Sequence, residues 1–112
     1  MNKWREETHF IQNCVREGRL FWTYHANIRL SQRFIDRRIA LESVDQYEII
    51  EYYPEQNGSH YLPNYLVRTE YQGEVFHILF ALDKEDHNVR IITVYRPAPE
   101  AWDEGFRRRK KP

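Results

Sequence analysis

The sequence predicts an α+β domain: two to three N-terminal helices packed on a four-stranded antiparallel sheet, with a basic C-terminal tail. Three observations carry that expectation. Apolar residues recur at helical spacing up to about residue 46, the chain from Glu48 onward is rich in Ile, Val, Tyr, Phe and Thr, and the links in that second half are short. Short links join antiparallel strands, and helices followed by a meander of strands exclude an alternating α/β fold.

The first helix spans about Lys3 to Glu17, with Phe10, Ile11, Cys14 and Val15 on one face and Gly18 as its stop. Leu20-Phe21-Trp22 follows as an apolar link. Thr23 then caps a second helix running from Tyr24 to about Phe34, which is expected to bury Ile28, with Tyr24 and Ile35 beside it. A short third helix over the Ala40 to Gln46 stretch aligns Leu41, Val44 and Tyr47. Strands are expected at Glu48 to Tyr53, Leu62 to Tyr71, Glu74 to Asp83 and Val89 to Arg96, broken at Pro54 to His60, Gln72-Gly73 and Lys84 to Asn88.

The turns fix a register. A two-residue loop at Gln72-Gly73 sets Tyr71 against Glu74, Arg68 against His77 and Leu66 against Leu79. A five-residue loop at Lys84 to Asn88 sets Asp83 against Val89, His77 against Tyr95 and Leu79 against Thr93. One sheet face then carries Val67, Phe76, Ile78, Phe80, Leu82, Ile92 and Val94 as core. The other carries Arg68, Glu70, His77, Thr93 and Tyr95 at one end, and Leu66, Leu79, Ala81 and Ile91 at the other. A half-exposed sheet face with comfortable cross-strand neighbours is the alternative to a site there.

Composition narrows the class. The 112 residues fit one domain, read as 1–106, followed by a tail at 107–112. Basic and acidic residues balance at 17 each, but five of the positives form Arg107-Arg108-Arg109-Lys110-Lys111, leaving a mildly acidic body. Such a tail either binds polyanions or is simply solvated. A single cysteine, Cys14, excludes an internal disulfide, and the charged start has no apolar leader, so a cytoplasmic protein is expected. The apolar run Ile78 to Leu82 is far too short to cross a bilayer. None of the five histidines stands at a metal-ligand spacing from another His or Cys, so neither a metal nor a cofactor is expected.

His25, Arg29 and Arg33 recur every fourth residue on the second helix, where they share one stripe as a ladder of donors suited to phosphate. A solvated stripe making ordinary ion pairs is the competing explanation. An imidazole among arginines, with a tyrosine and without an activated nucleophile, suits phosphodiester chemistry on RNA, whose own 2′-hydroxyl attacks phosphorus. His25 and His77 then serve proton transfer, Tyr95 is a secondary donor, and Arg29, Arg33, Arg68 and Thr93 hold substrate.

Arg19 through Ala26 with Arg29 and Arg33, then Ile49 to Pro54, His77, Ile91 to Tyr95, and Pro99 to Trp102 before the basic run together resemble the domain-of-unknown-function family numbered 4258. That family is similar to small bacterial toxins of the barnase, EndoU, colicin and RelE superfamily, metal-independent ribonucleases with helices followed by an antiparallel sheet. The resemblance implies an endoribonuclease toxin acting on RNA, often paired with a small antitoxin protein. It marks His25, Arg29, Arg33, His77, Thr93 and Tyr95 as the matching polar positions. Two departures stand out: the family's glycine near the end of the second strand is missing, and Ile35 to Ile39 is longer than its usual link. Arg68 is a feature of this chain alone. A noncatalytic RNA-binding or protein-interaction module is the alternative. A shared site for His25 and His77 requires the second helix to sit at the sheet edge.

Overall fold

The computed structural model describes residues 3–54 and 62–111. Helix α1 (Arg5–Arg16) is followed by a short strand β1 (Leu20–Trp22), helix α2 (Tyr24–Arg33), helix α3 (Arg37–Glu42) and a 3-10 turn at Val44–Gln46. Strands β2 (Glu48–Tyr53), β3 (Asn64–Tyr71), β4 (Glu74–Asp83) and β5 (Asn88–Tyr95) complete the chain's regular structure. The expected break at Pro54 to His60 lies, beyond Pro54, outside the described residues.

The sheet has five strands in the order β1-β5-β4-β3-β2, and β1 runs parallel to β5. The expected sheet of four antiparallel strands is therefore one strand short. Leu20-Phe21-Trp22, read as a link, hydrogen-bonds along Val89 to Ile91 instead, because the turn at Gly18 (φ +76°) delivers it to the free edge of β5. The helices cover one face. Ile11, Cys14 and Val15 from α1 and Ile39 and Ala40 from α3 share a core with Phe76, Ile78, Phe80 and Leu82, and Phe76, Ile78 and Phe80 are at most 1 % exposed.

Gln72 and Gly73 both take positive φ (51° and 80°), the signature of a two-residue turn whose twist matches its strands. Arg68 accordingly faces His77, and Leu66 faces Leu79, as the loop length requires. His77 likewise faces Tyr95, and Leu79 faces Thr93. Beyond that point the register slips by one residue between Leu79 and Phe80, so Phe80 meets Ile91 and Asp83 meets Asn88 instead of Val89. This bulge reverses two expected positions: Ile91 is fully buried in the core, while Ile92 turns to the opposite face.

Helix α2 begins where β1 ends and runs beside the remainder of β5. Thr23 makes the corner: its Oγ1 accepts from the Ala26 N–H (3.0 Å) and donates to the Ile91 carbonyl (3.0 Å). The helix docks through Ala26 and Leu30, which leaves Ile28 and Tyr24 exposed, contrary to expectation, whereas Ile35 is buried as expected. Helix α3 starts earlier than expected, at Arg37, because the Asp36 carboxylate caps the Arg38 N–H at 2.8 Å; Leu41 is left exposed as a result.

Phe34 ends α2 in the left-handed region (φ 54°) with 89 % of its surface exposed. Glycine occupies such a position without strain, and this ring has no packing to lose. Phe34→Gly should raise stability by up to about 1 kcal/mol, read as a higher urea midpoint at unchanged slope. A lower midpoint would show that the ring contributes to the fold.

Candidate functional site

The outer face of the sheet divides into a covered half and an open half. Over the covered half, residues 97–111 fold back as a strap: Trp102 is 4 % exposed and bridges to Arg109, while Arg107 and Arg109 pair with Glu48 and Glu51, each at 2.9 Å or less. The basic run expected to extend as a tail is thus tied to the sheet through residue 109. Arg109 also stacks over the Trp102 ring at 4.6 Å. Burial disfavours the Glu51 carboxylate, yet hydrogen bonds from Arg109 and Tyr53 hold it below the usual range.

Beneath the strap, His77 is wholly buried. Its Nε2 lies 2.9 Å from the Phe106 carbonyl, which can only accept, so Nε2 carries the proton and Nδ1 accepts from the Tyr95 hydroxyl at 3.2 Å. Trp102 packs edge-on against the ring at 4.5 Å. Arg68 is equally enclosed, its Nε donating to the Gly105 carbonyl at 2.6 Å and its Nη1 reaching Glu70 at 3.4 Å. The pairing of Arg68, His77 and Tyr95 is present, but its first two members hold the strap.

Burial lowers the His77 pKa. Unfolding lets the ring take a proton at its ordinary value near 6.5, so the folded state binds fewer protons in acid. The His77 contribution is complete above about pH 6.5 and is lost as pH falls toward the depressed folded value. Urea titrations at about pH 7.5 and about pH 5.5 should therefore show wild type losing more stability on acidification than His77→Gln. Equal losses in both proteins would contradict a neutral buried ring.

The open half is a cleft of about 720 Å³. Leu66, Leu79, Ala81 and Ile92 give it an apolar floor, and the hydroxyls of Thr23, Thr93 and Tyr95 stand along one side. Arg90 and Arg109 line it and, among the described residues, no carboxylate does, although each of these arginines reaches an acid nearby. Burial pushes the Tyr95 phenol up to about 12, so it stays a protonated donor. The bulge at Leu79/Phe80 puts Ile92 in this floor, a residue the unbulged register assigns to the core.

One end of the ladder, Arg33, reaches the same cleft through Thr93. Arg33 Nη1 donates to Thr93 Oγ1 (3.0 Å) and to the Val94 carbonyl (2.8 Å), so the helix sits at the sheet edge and reaches the outer face. Arg29 Nε donates to His25 Nε2 at 3.3 Å, and its Nη1 donates to Gln32. Neither Arg29 nor Arg33 has a carboxylate within ion-pair distance among the described residues, whereas Arg16, Arg68, Arg90, Arg96, Arg107 and Arg109 all do. Burial and then the neighbouring Arg29 charge push Arg33 below its ordinary value. Arg96 donates to the Arg33 carbonyl at 2.8 Å, fixing the end of the helix against β5.

His25 is exposed at the other end of the ladder. Eight residues separate it from Arg33, about 12 Å of helix rise. The structure thus joins Arg33, Thr93 and Tyr95 in one neighbourhood and His25 with Arg29 in the next, and it sets His77 behind Tyr95 with both ring nitrogens engaged. Sequence reasoning missed Asn64 and Tyr53, which line the cleft from β3 and β2; their alternation with Tyr65 and Tyr52 was the available signal. Among the described residues no group of three or more His, Cys, Asp or Glu is placed to hold a metal ion, and no helix is long and apolar enough to cross a membrane.

Comparison with known proteins gives one match. No curated protein and no solved structure matches the chain. A family model described as a domain of unknown function, DUF4258, matches residues 22–96, a span that begins at the end of β1, holds α2, the ladder and strands β2 to β5, and stops where the strap starts. Since the match covers well over half of the chain and all of the cleft except Arg109, the protein belongs to the DUF4258 family.

Proposed function

We propose that the protein binds RNA along the α2 edge and cleaves it without a metal, by attack of the RNA's own 2′-hydroxyl. The observation that carries this reading is that, among the described residues, neither Arg29 nor Arg33 pairs with a carboxylate and none lines the cleft that Arg33 reaches through Thr93. Most other described arginines hold carboxylates, so two guanidiniums on one stripe with only neutral hydrogen-bond partners form a prepared anion site. The resemblance to the RelE and barnase-like ribonucleases supports the same reading, and with it a small antitoxin protein as partner.

His25 and Arg29 act on the scissile phosphate. A phosphate oxygen draws Arg29 away from His25, freeing Nε2 to take the 2′-hydroxyl proton; the 2′-oxygen bonds to phosphorus, and the 5′-oxygen leaves with a proton from solvent. Arg29 balances the charge added to the phosphorane. Arg33, Thr93 and Tyr95 hold the neighbouring nucleotide. His77 and Arg68 serve by anchoring the strap and orienting Tyr95 rather than by meeting substrate.

Purified protein should cleave single-stranded RNA in excess chelator. The double variant Arg29→Ala/Arg33→Ala should keep its fold and lower the slope of log affinity against log salt by about 1.4, the release expected for two single-strand phosphates. An unchanged slope would remove the ladder from the interface. A noncatalytic RNA-binding module is the second reading, favoured by the Arg29 hydrogen bond that occupies the His25 lone pair. Salt-sensitive binding with no turnover decides for it.

A further inference from the structure

Resting on the reading that this edge binds RNA, we infer that the cleft is a base-binding pocket: Asn64 pairs with a base edge, Tyr53 stacks on the ring, and Arg33 with Thr93 holds that nucleotide's phosphate. Asn64 and Tyr53 are direct cross-strand partners and both line the cleft, so an amide and an aromatic ring stand side by side at its far end. The Asn64 side-chain amide has no hydrogen-bond partner among the described residues. Among the described residues, both its donor and its acceptor are open to a ligand. A side-chain amide forms a bidentate pair with any base edge that sets a donor beside an acceptor, as adenine N6 with N7, cytosine N4 with N3, uracil N3 with O4 and guanine N1 with O6 all do in a single strand.

The span fits. Asn64 lies opposite Ala81, and Thr93 lies opposite Leu79, so the two sit on the strands flanking β4 and two residues apart along it. Two strand spacings across and two residues along put their Cα atoms about 12 Å apart, leaving room between the side chains for a base and its ribose. The floor between them is Leu79, Ala81 and Leu66, an apolar surface for a ring to lie on. At the near end Arg33 holds Thr93 Oγ1 at 3.0 Å with no acid among the described residues to neutralise it, the position a phosphate would take. Tyr53 keeps its hydroxyl on Glu51, which fixes the ring as a platform. At about 720 Å³ the volume falls in the range of small-molecule pockets.

Titration calorimetry with AMP, GMP, CMP, UMP and, as a base-free probe, ribose 5-phosphate tests this on the full chain. Each nucleotide should bind more tightly than ribose 5-phosphate. Asn64→Ala should weaken the nucleotides by about 5- to 150-fold and leave ribose 5-phosphate nearly unchanged. Arg33→Ala should weaken all four alike, and Tyr53→Ala should weaken all four while Tyr53→Phe, which keeps the ring, should not. Circular dichroism confirms that each variant is folded. Ribose 5-phosphate binding as tightly as the nucleotides, or nucleotide affinity that survives Asn64→Ala, overturns the base-binding pocket while RNA binding by the ladder stands. If neither nucleotides nor an RNA oligomer bind at low salt, both the pocket and the RNA reading fall.

Discussion

His25→Ala should reduce RNA cleavage by about 10²- to 10⁴-fold, the usual contribution of one positioned proton-transfer group. The side chain is exposed on the first turn of α2, and its described contact is with Arg29, so the fold should be untouched and the urea midpoint unchanged. RNA affinity should drop far less than turnover, because Arg29 and Arg33 remain to hold phosphate. That split between binding and rate separates a proton-transfer role from a merely electrostatic one. If cleavage persists at the wild-type rate in this variant, the imidazole is not part of the chemistry and the mechanism built on it is wrong.

Ile91→Ala should cost about 2–5 kcal/mol, and Ile92→Ala clearly less, although the two residues are chemically identical neighbours. Ile91 is fully buried against Phe80 beneath the helices, whereas Ile92 is half-buried in the floor of an open cleft. Measured against a typical domain stability of about 5–15 kcal/mol, the first loss is severe. Urea denaturation of the pair checks the bulge directly. A larger cost at Ile92 would mean that the register runs straight from Tyr95 to Val89. Ile92→Ala should also widen the cleft, so its nucleotide affinity should change while that of a folded Ile91 variant should not.

Much of this arrangement was legible from local chemistry. A two-residue turn at Gln72-Gly73 sets Arg68 against His77, and the short link after Asp83 sets His77 against Tyr95, so the row is written in the loop lengths. The bulge was not legible, because Ile91 and Ile92 satisfy either parity and no residue type marks the slip. β1 escaped notice for a different reason: three residues show no periodicity, and their partner lies about seventy positions away. The strap was misread through its charge. Five consecutive basic residues look solvated, yet Trp102 and the carboxylates of Glu48 and Glu51 supply what holds them. For the site, helical spacing was enough to find the ladder, but it could not tell that Arg29 and Arg33 meet no carboxylate among the described residues, which depends on where the acids of the fold end up.

The parallel pairing of β1 with β5 also sets an order of assembly. Strands β2 to β5 follow one another in sequence and can zip as neighbours, but β1 must close a loop spanning most of the chain before it gains a single hydrogen bond, an entropic cost that delays such contacts. Helix α2 hangs directly from β1 through Thr23. The cationic edge is therefore the last part of the molecule to be built and the first to open, so amide hydrogens of Phe21 and Thr23 should exchange ahead of those in β3 and β4, and the protein should pass through a state with a finished hairpin sheet and no place to hold a phosphate.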